Sequence, residues 1–262
     1  MAIAHGSTTA AEDSSTNQLN IPSVTVTGTN AVLVVLIAYK SGTAGKISRV
    51  TWDSAGVGEG LTLLGSEVGS GNSNSSMYFL AAPTAKTATV TVDLTANKRI
   101  VAAAQVYTGV HQGVPFRTAS FASATGTNNN PTVNVVALDT EMVLDSLCQI
   151  SGGPDTISAN TGTLRHNEPA TGGGTDTRGA GQEIASSGAT EAMGYTLSST
   201  DDWGITACAL QEPSPTATRL QLNISDSWEM IESIQINIGD VWKAVEGAQI
   251  NISDDWKLMF ET

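Results

Sequence analysis

The sequence predicts an all-β protein: an antiparallel, jelly-roll-like β-sandwich followed by a small C-terminal repeat module of β-hairpins. Charged residues make up only 14 % of the 262 residues and glycine is abundant at 26 residues, a composition that favours strands and turns over helices. Short apolar runs bounded by turn residues follow one another along the first 212 residues. No window keeps an apolar pattern of helical period over three turns.

About a dozen such runs indicate strands, and their shortness predicts a two-sheet antiparallel sandwich. Segment 31–38 is apolar throughout, which predicts a central strand covered on both faces. Segment 87–92 alternates threonine with alanine or valine, which predicts a strand with one outward face. The predicted strands are 23–27, 31–40, 47–52, 61–68, 76–81, 88–94, 99–108, 116–122, 132–138, 142–150, 191–197 and 203–210.

Two segments interrupt this pattern. Segment 151–182 is rich in glycine, threonine, asparagine and aspartate, and it predicts a long exposed excursion with one short strand at 163–166, serving either as a working loop or as tolerated slack. Segment 213–218 carries two prolines among small polar residues, the composition of a semi-rigid linker. We therefore place a sandwich domain at 1–212, a linker at 213–218 and a repeat module at 219–262.

The last 43 residues repeat every 14 positions, as LQLNISDSW (220–228), IQINIGDVW (234–242) and AQINISDDW (248–256). Because 14 is even and strand side chains alternate with period 2, each copy keeps its apolar residues in the same phase. Each copy predicts a strand, a turn and a second strand that begins at the tryptophan. Asp226, Asp240 and Asp254 fall in the turns, where capping of backbone N–H groups is the expected role; a shared metal site is the alternative.

A module of this size without cysteines buries too little apolar surface to fold alone. We expect it to pack on the main domain, on copies of itself or on another protein. The alternative for the tryptophans is a stacking platform for a sugar or a base. The predicted oligomer or partner interface consists of Leu222, Ile224, Trp228, Ile236, Ile238, Trp242, Ile250, Ile252 and Trp256.

Charge and apolar runs exclude several partners. The formal net charge is −13 and lysine and arginine do not cluster in the sequence, so we expect no nucleic-acid binding. The longest apolar run, 31–39, is too short to cross a bilayer. The N-terminus lacks a basic region followed by an apolar stretch, which predicts synthesis in a cytoplasm. In that reducing compartment Cys148 and Cys208 are expected as buried free thiols, with a disulfide as the alternative.

No motif for nucleophilic catalysis, metal binding or phosphate binding occurs, so we predict no catalytic residue, no metal and no cofactor. His5, His111 and His166 are predicted to be plain surface or turn residues. A glycoside hydrolase is kept as a minor hypothesis because paired carboxylates meet only in space. Its candidate residues are Asp53, Glu183, Asp201 and Asp202.

Block 235–243, with its variants around Trp228 and Trp256, resembles C-terminal repeats on structural proteins of tailed-bacteriophage particles. Segments 50–52, 61–65, 77–83, 89–92 and 106–110 resemble a β-sandwich module common in phage virion proteins, from which segment 53–60 departs by an insertion. The resemblance implies a particle component without catalysis, present in several copies.

The leading hypothesis is therefore a non-enzymatic virion structural protein, a capsid decoration, cement or head-fibre subunit on the particle exterior. An acidic surface suits that position because it would repel packaged DNA. Expected partners are further copies, in a homotrimer, and other virion proteins of the capsid, neck or tail. The alternative is a lectin-like, receptor-binding tail-fibre protein that recognises host glycan through the 151–182 excursion or the tryptophans.

Overall fold

The computed structural model describes residues 2–117, 119–152, 155–171, 176–188 and 190–213 in full, and the backbone of six strands between 220 and 261. The chain divides into two compact units, Met1–Glu212 and Pro213–Thr262. All described elements are strands in antiparallel pairs, so the predicted all-β class and the antiparallel sandwich are confirmed. Within the described ranges there is no helix of the length and apolarity that crossing a membrane requires.

The first sheet has seven strands in the order β4-β3-β7-β2-β6-β5, with β1 paired along β7. It curls around a core to which β1, β2, β3, β6 and β7 all contribute. Its strands are β1 Ala4–Thr25, β2 Val32–Lys40, β3 Ile47–Trp52, β4 Glu59–Gly60, β5 Thr62–Ser70, β6 Ser73–Ala81 and β7 Thr87–Thr108.

Strand β7 joins two strands that the sequence predicts as separate. Its first part, up to Leu94, pairs with β3, and its second part, from Ile100, pairs with β2. Strand β1 follows β7 along both parts, with irregular register between Asp13 and Gln18. The prediction of two strands at 88–94 and 99–108 is therefore wrong in its count, because the polar residues between them stay within the extended chain.

Strand β1 is the largest element that the sequence misses. A strand was expected only at 23–27, yet the chain is extended from Ala4 and pairs with β7 throughout. Its first half is mostly polar and lacks a buried apolar alternation, whereas Leu19, Ile21 and Val24 are buried. The first half is thus held by long-range backbone pairing, which no local pattern reveals.

Strand β2 is covered on both faces, as predicted. Leu33, Val35 and Ile37 belong to the core inside the first sheet. The alternate residues Val32 and Val34 belong to a second core, together with Leu144 and Leu210 of the next sheet. The continuous apolar run of β2 therefore reflects two different packing partners.

The second sheet has the order β12-β13-β10-β15-β8 and the third has the order β11-β14-β9. One face of the second sheet packs on the first sheet, and the other packs on the third through residues such as Val135, Leu147, Tyr195 and Ile205. The strands are β8 Ala122–Gly126, β9 Thr132–Val136, β10 Met142–Ser151, β11 Ile157–Ala159, β12 Thr163–Ala170, β13 Asp176–Ala185, β14 Thr190–Leu197 and β15 Asp202–Leu210.

The excursion predicted at 151–182 is wrong for most of its described residues, which lie in β11, β12 and β13, whereas the short strand predicted within it at 163–166 is confirmed as the start of β12. Strand β13 runs between β10 and β12, and its Gly179 lies where a Cβ atom would be 2.7 Å from Cγ1 of Val101. A glycine that suggests a loop in the sequence thus permits close approach of two sheets. The strand predicted at 116–122 is also wrong, because Phe116 makes a single bridge to Leu210 and β8 begins only at Ala122.

The C-terminal unit contains three hairpins, which confirms the predicted repeat module. Each hairpin is a separate two-stranded sheet. The turn residues Asp226, Asp240 and Asp254 lie outside the described residues. The paired strands are β16 Leu220–Ile224 with β17 Ser227–Ile231, β18 Gln235–Ile238 with β19 Val241–Ala244, and β20 Gly247–Ile252 with β21 Asp255–Glu261.

Candidate functional site

The predicted interface residues all lie in the strands of these hairpins, and their side chains fall outside the described part of the structure. From the glutamine of each copy to the end of its first strand the backbone register is the same, whereas the third copy alone has a register shift between Ala248 and Gln249. Trp228, Trp242 and Trp256 lie opposite Asn223, Asn237 and Asn251, respectively. Leu222 and Ile224 lie in β16, Ile236 and Ile238 in β18, and Ile250 and Ile252 in β20.

The register separates the predicted interface into two sets of positions. Ile224 pairs with Ser227, so only two residues connect the arms, and Leu222 lies opposite Glu229. Cross-strand partners share one face of an antiparallel pair. The positions of Leu222 and Ile224 in the first strand therefore share a face with those of Glu229 and Ser227 in the second, and not with that of Trp228. The shared phase of the apolar residues therefore does not extend from the first strand of a hairpin to the second. The Leu/Ile positions and the tryptophan positions need separate tests.

Asp53, the first hydrolase candidate, has a structural role in the turn after β3. Its carboxylate forms an ion pair with Lys86 and accepts a hydrogen bond from the backbone N–H of Val57 at 3.1 Å. The hydrogen bond from Lys86 is the main reason that the pKa of Asp53 lies below its usual value. Asp53 also has a positive φ of 53°, as expected for an aspartate in a tight turn.

Glu183 lies in β13 and is almost fully buried. It forms an ion pair with Arg165 and accepts a 2.7 Å hydrogen bond from the phenol of Tyr107. Burial and, next, the Glu183 carboxylate raise the pKa of Tyr107 well above its usual value. Glu183 also lines a cavity of about 360 Å³ together with Thr163 and Ala185. Because Arg165 balances its charge and Tyr107 donates to it, this carboxylate is already bound to other side chains of the protein.

Asp202 lies far from Glu183 along the second sheet. Their Cα partners on β10 are Ile150 and Leu144, respectively. Six residues of strand correspond to roughly 20 Å, whereas paired carboxylates in glycosidases lie about 5 to 10 Å apart. These two candidates therefore do not form a catalytic pair.

Asp201 meets a carboxylate that the sequence did not single out, Asp155. The side-chain amide of Gln149 donates to Asp201 at 2.8 Å and to Asp155 at 3.5 Å. Burial acts to raise the pKa of Asp155, but hydrogen bonds from Ser151, Ser199 and Ser198 outweigh it and lower this pKa. A general acid in such a pair needs a raised pKa, so Asp155 is unsuited to that role.

Asp145 is the buried carboxylate that the sequence analysis missed. It lies in the middle of β10 with no exposed surface and accepts hydrogen bonds from Tyr195 and from the amide of Gln182 at 3.0 Å. Burial raises the pKa of Asp145 to about 7, although these hydrogen bonds oppose the shift. The sequence signal was an aspartate inside the apolar run 142–150.

The three histidines differ from one another. His111 accepts hydrogen bonds from the backbone N–H groups of Gly113 and Val114 at 3.1 and 2.9 Å, which confirms its prediction as a turn residue. The prediction is wrong for His166, whereas His5 is half-buried at the surface. His166 is buried in β12, where desolvation lowers its pKa to about 3, and His5 lies in β1 with its ring edge-on to Tyr107 at 5.6 Å.

The two cysteines are free and buried, which confirms the preferred prediction. Cys148 lies in β10 opposite Gly204, whereas Cys208 lies in β15 opposite Leu144. The two thiols are therefore four register positions apart along the same strand pair. Burial raises the pKa of Cys148 to about 12 and that of Cys208 well above its usual value.

Among the fully described residues, no three His, Cys, Asp or Glu side chains group as a metal site would require. No protein-family model, curated protein or solved structure matches this chain.

Proposed function

We propose that this chain is a non-enzymatic structural protein of a tailed-bacteriophage virion, carried on the particle exterior as a capsid decoration, cement or head-fibre subunit. The observation that carries the proposal is the set of three hairpins at 14-residue spacing, in each of which the tryptophan pairs with the asparagine of the first strand. A repeated hairpin presents one contact several times, and multiple weak contacts give strong attachment without a deep binding site.

The candidate catalytic residues support a non-enzymatic role. Asp53, Glu183 and Asp201 each have a partner within the protein: Lys86, Arg165 and Gln149, respectively. Carboxylates held in this way stabilise turns and strand contacts, whereas an acid or base must reach a bound substrate.

The layered sandwich and the net charge of −13 also support an exterior component. An acidic surface would be repelled by packaged DNA and keeps the protein soluble before assembly. The alternative, a glycan-binding tail-fibre protein, relied in part on an exposed loop at 151–182, but the described residues there lie mostly in β11, β12 and β13.

The direct test is mass spectrometry of purified particles of the phage that encodes the chain. We expect the protein at a fixed, multiple copy number, and imaging of particles with a C-terminal label should place that label outside the capsid. Its presence in the lysate but absence from purified particles would refute the proposal.

The assembly role of the repeats has its own test by native mass spectrometry of the full chain, for which a trimer is expected. One variant replaces Leu222, Ile236 and Ile250 with serine, and a second replaces the three tryptophans with alanine. A matched control replaces Gln221, Gln235 and Gln249 with alanine. At least one of the first two variants should dissociate the oligomer and the control should not; a monomeric wild type would contradict the assembly role.

A further inference from the structure

A second cavity lies where β7 changes partners between β3 and β2. It has a volume of about 330 Å³, within the range of roughly 300 to 1,000 Å³ typical of small-molecule sites. Residues from β1, from β7, from the end of β2 and from the turn between β5 and β6 line it. It thus lies where four segments of the first sheet meet.

The backbone is irregular at this point in both long strands. In β1 the pairing register shifts between Asp13 and Thr16, where Ser14 and Ser15 line the cavity. It shifts again before Gln18, so that β7 skips from Lys98 to Asp93. Bulges redirect side chains and occur preferentially beside functional sites.

The charge of the cavity is opposite to that of the chain. The sequence has 12 Lys and Arg residues against 25 Asp and Glu, yet Lys40, Lys98 and Arg99 all line this cavity and no carboxylate does. The nearby Asp13 accepts a 2.7 Å hydrogen bond from the backbone N–H of Ser15. A concave site lined by charges of one sign raises the local concentration of ions of the opposite sign, here anions.

The floor of the cavity is fixed by a buried side chain. Asn74 is almost fully buried, and its amide donates to the carbonyl oxygens of Ser41 at 2.6 Å and of Asn72 at 3.1 Å. The backbone N–H of Ser41 also donates to Asn72 at 2.8 Å. Ser41 and Asn72 line the cavity and are therefore held in place before any ligand binds, which lowers the entropic cost of binding.

We propose that this cavity binds a carboxylate or phosphate group carried by a sugar, that is, one acidic saccharide unit. The three cations would bind the oxyanion through charge-assisted hydrogen bonds. Serine hydroxyls and the Asn97 amide provide both donors and acceptors, which suits sugar hydroxyl groups. A long polyanion such as nucleic acid does not suit the site, since it would extend beyond the cavity along a chain whose net charge is −13.

This inference is independent of the virion role, because it rests on a different part of the chain and failure of either leaves the other standing. Isothermal titration of the full chain tests it with glucuronate and glucose 6-phosphate as acidic sugars, glucose as the neutral sugar, and inorganic phosphate as the bare anion. We expect both acidic sugars to bind, glucose not to bind, and phosphate to bind more weakly than glucose 6-phosphate.

Lys98 is the residue to replace first, since Lys40 and Arg99 also interact with other residues of the chain. Lys98→Gln should weaken binding of glucose 6-phosphate about tenfold, as expected for the loss of one charged hydrogen bond. Lys98→Arg keeps the charge and should restore most of the affinity. The matched control is Lys86→Gln, which removes a cation that is paired with Asp53 just before the start of β7 and does not line the cavity.

Two results would overturn the site itself: no binding of either acidic sugar, or equal loss of affinity in Lys98→Gln and Lys86→Gln. Phosphate that binds as tightly as glucose 6-phosphate would overturn the saccharide assignment, because the sugar would then contribute nothing. Circular dichroism of each variant distinguishes loss of binding from loss of folding.

Discussion

Tyr195 donates its phenolic hydrogen to Asp145, and neither side chain is exposed to solvent. The bond joins β14 of the third sheet to β10 of the second across their shared core. Gln182 of β13 completes the cluster by donating its backbone N–H to Asp145 at 3.2 Å and its side-chain amide to the carbonyl of Gly194 at 3.0 Å. One buried polar cluster therefore ties two sheets together.

We expect Tyr195→Phe to lower the free energy of unfolding by about 1 to 3 kcal/mol, because a buried carboxyl group loses a hydrogen-bond partner. Urea denaturation followed by circular dichroism measures the change. The same substitution should cost less in an Asp145→Asn background, since the two groups are coupled. An equal cost in both backgrounds would show that the hydroxyl acts independently of Asp145.

The raised pKa of Asp145 makes stability depend on pH. Between its ordinary value of 3.8 and its folded value of about 7, the folded state holds a proton that the unfolded state has released. Stability contributed by this group therefore falls as pH rises, by at most about 1.4 kcal/mol per pH unit. As pH rises from 5 to 7.5, the free energy of unfolding of Asp145→Asn should therefore increase relative to that of wild type. A difference between the two proteins that stays constant over this range would contradict the prediction.

His166 should act in the opposite direction. Its pKa falls from 6.5 to about 3 in the folded state, so between these values only the unfolded state takes up a proton. Its contribution is present above pH 6.5 and is lost as pH falls, by up to about 1.4 kcal/mol per unit. As pH falls from 6.5 to 4.5, the free energy of unfolding of His166→Gln should therefore rise relative to that of wild type. A difference between the two proteins that stays constant over this range would contradict the prediction. The relevant measurement is the slope of the free energy of unfolding against pH, and not its value at a single pH.

Arg117 and Glu141 form a bidentate pair beside β10. Nε and Nη2 of Arg117 donate to Glu141 at 2.9 and 2.7 Å, and Glu141 also accepts from the backbone N–H of Leu138 at 2.7 Å. Arg117→Lys should cost about 1 to 2 kcal/mol, because lysine cannot make both bonds. The control Arg49→Lys alters the exposed pair with Asp93 and should cost less than about 0.5 kcal/mol. Equal costs would show that burial of the pair contributes nothing.

Gly179 permits close contact between β13 and the first sheet. A Cβ atom there would lie 2.7 Å from Cγ1 of Val101 and 3.2 Å from Cβ of Ala38. Gly179→Ala should therefore destabilise the protein by about 1 to 3 kcal/mol through overpacking. Gly60→Ala is the control, since a Cβ atom at Gly60 meets no atom within 4 Å. If both variants unfold at the same denaturant concentration, the sheets have room to separate.

The cysteines should be unreactive in the folded protein. Both are fully buried with raised pKa values, and the thiolate is the reactive form. Neither thiol should react with an aromatic disulfide reagent at pH 8 until denaturant is added, after which two equivalents should react. Rapid reaction without denaturant would contradict the buried placement.

Several features follow from local patterns in the sequence. The apolar run of β2 predicted burial on both faces, and the 14-residue repeat predicted three hairpins. These predictions succeed because the number of buried faces and the period of alternation are properties of one segment. The site residues predicted within the hairpins stay a prediction, since their side chains lie outside the described part.

Other features depend on contacts between distant segments. The polar first half of β1, the buried carboxylate of Asp145 and the basic cavity at the junction of β1 and β7 have weak or ambiguous local signals. Glycine and threonine in 151–182 suggested a loop, although Gly179 instead fits tightly against Val101.

The strand content of this protein, the positions of its repeats and the burial of β2 on both faces follow from the sequence alone, because alternation and composition act within a few residues. The folded structure was needed to establish that the polar start of the chain pairs with β7, which carboxylates are neutralised by partners, and where three cations gather in an acidic protein. Those outcomes depend on strand pairing and sheet packing between segments far apart in sequence, for which local residue preferences carry no information.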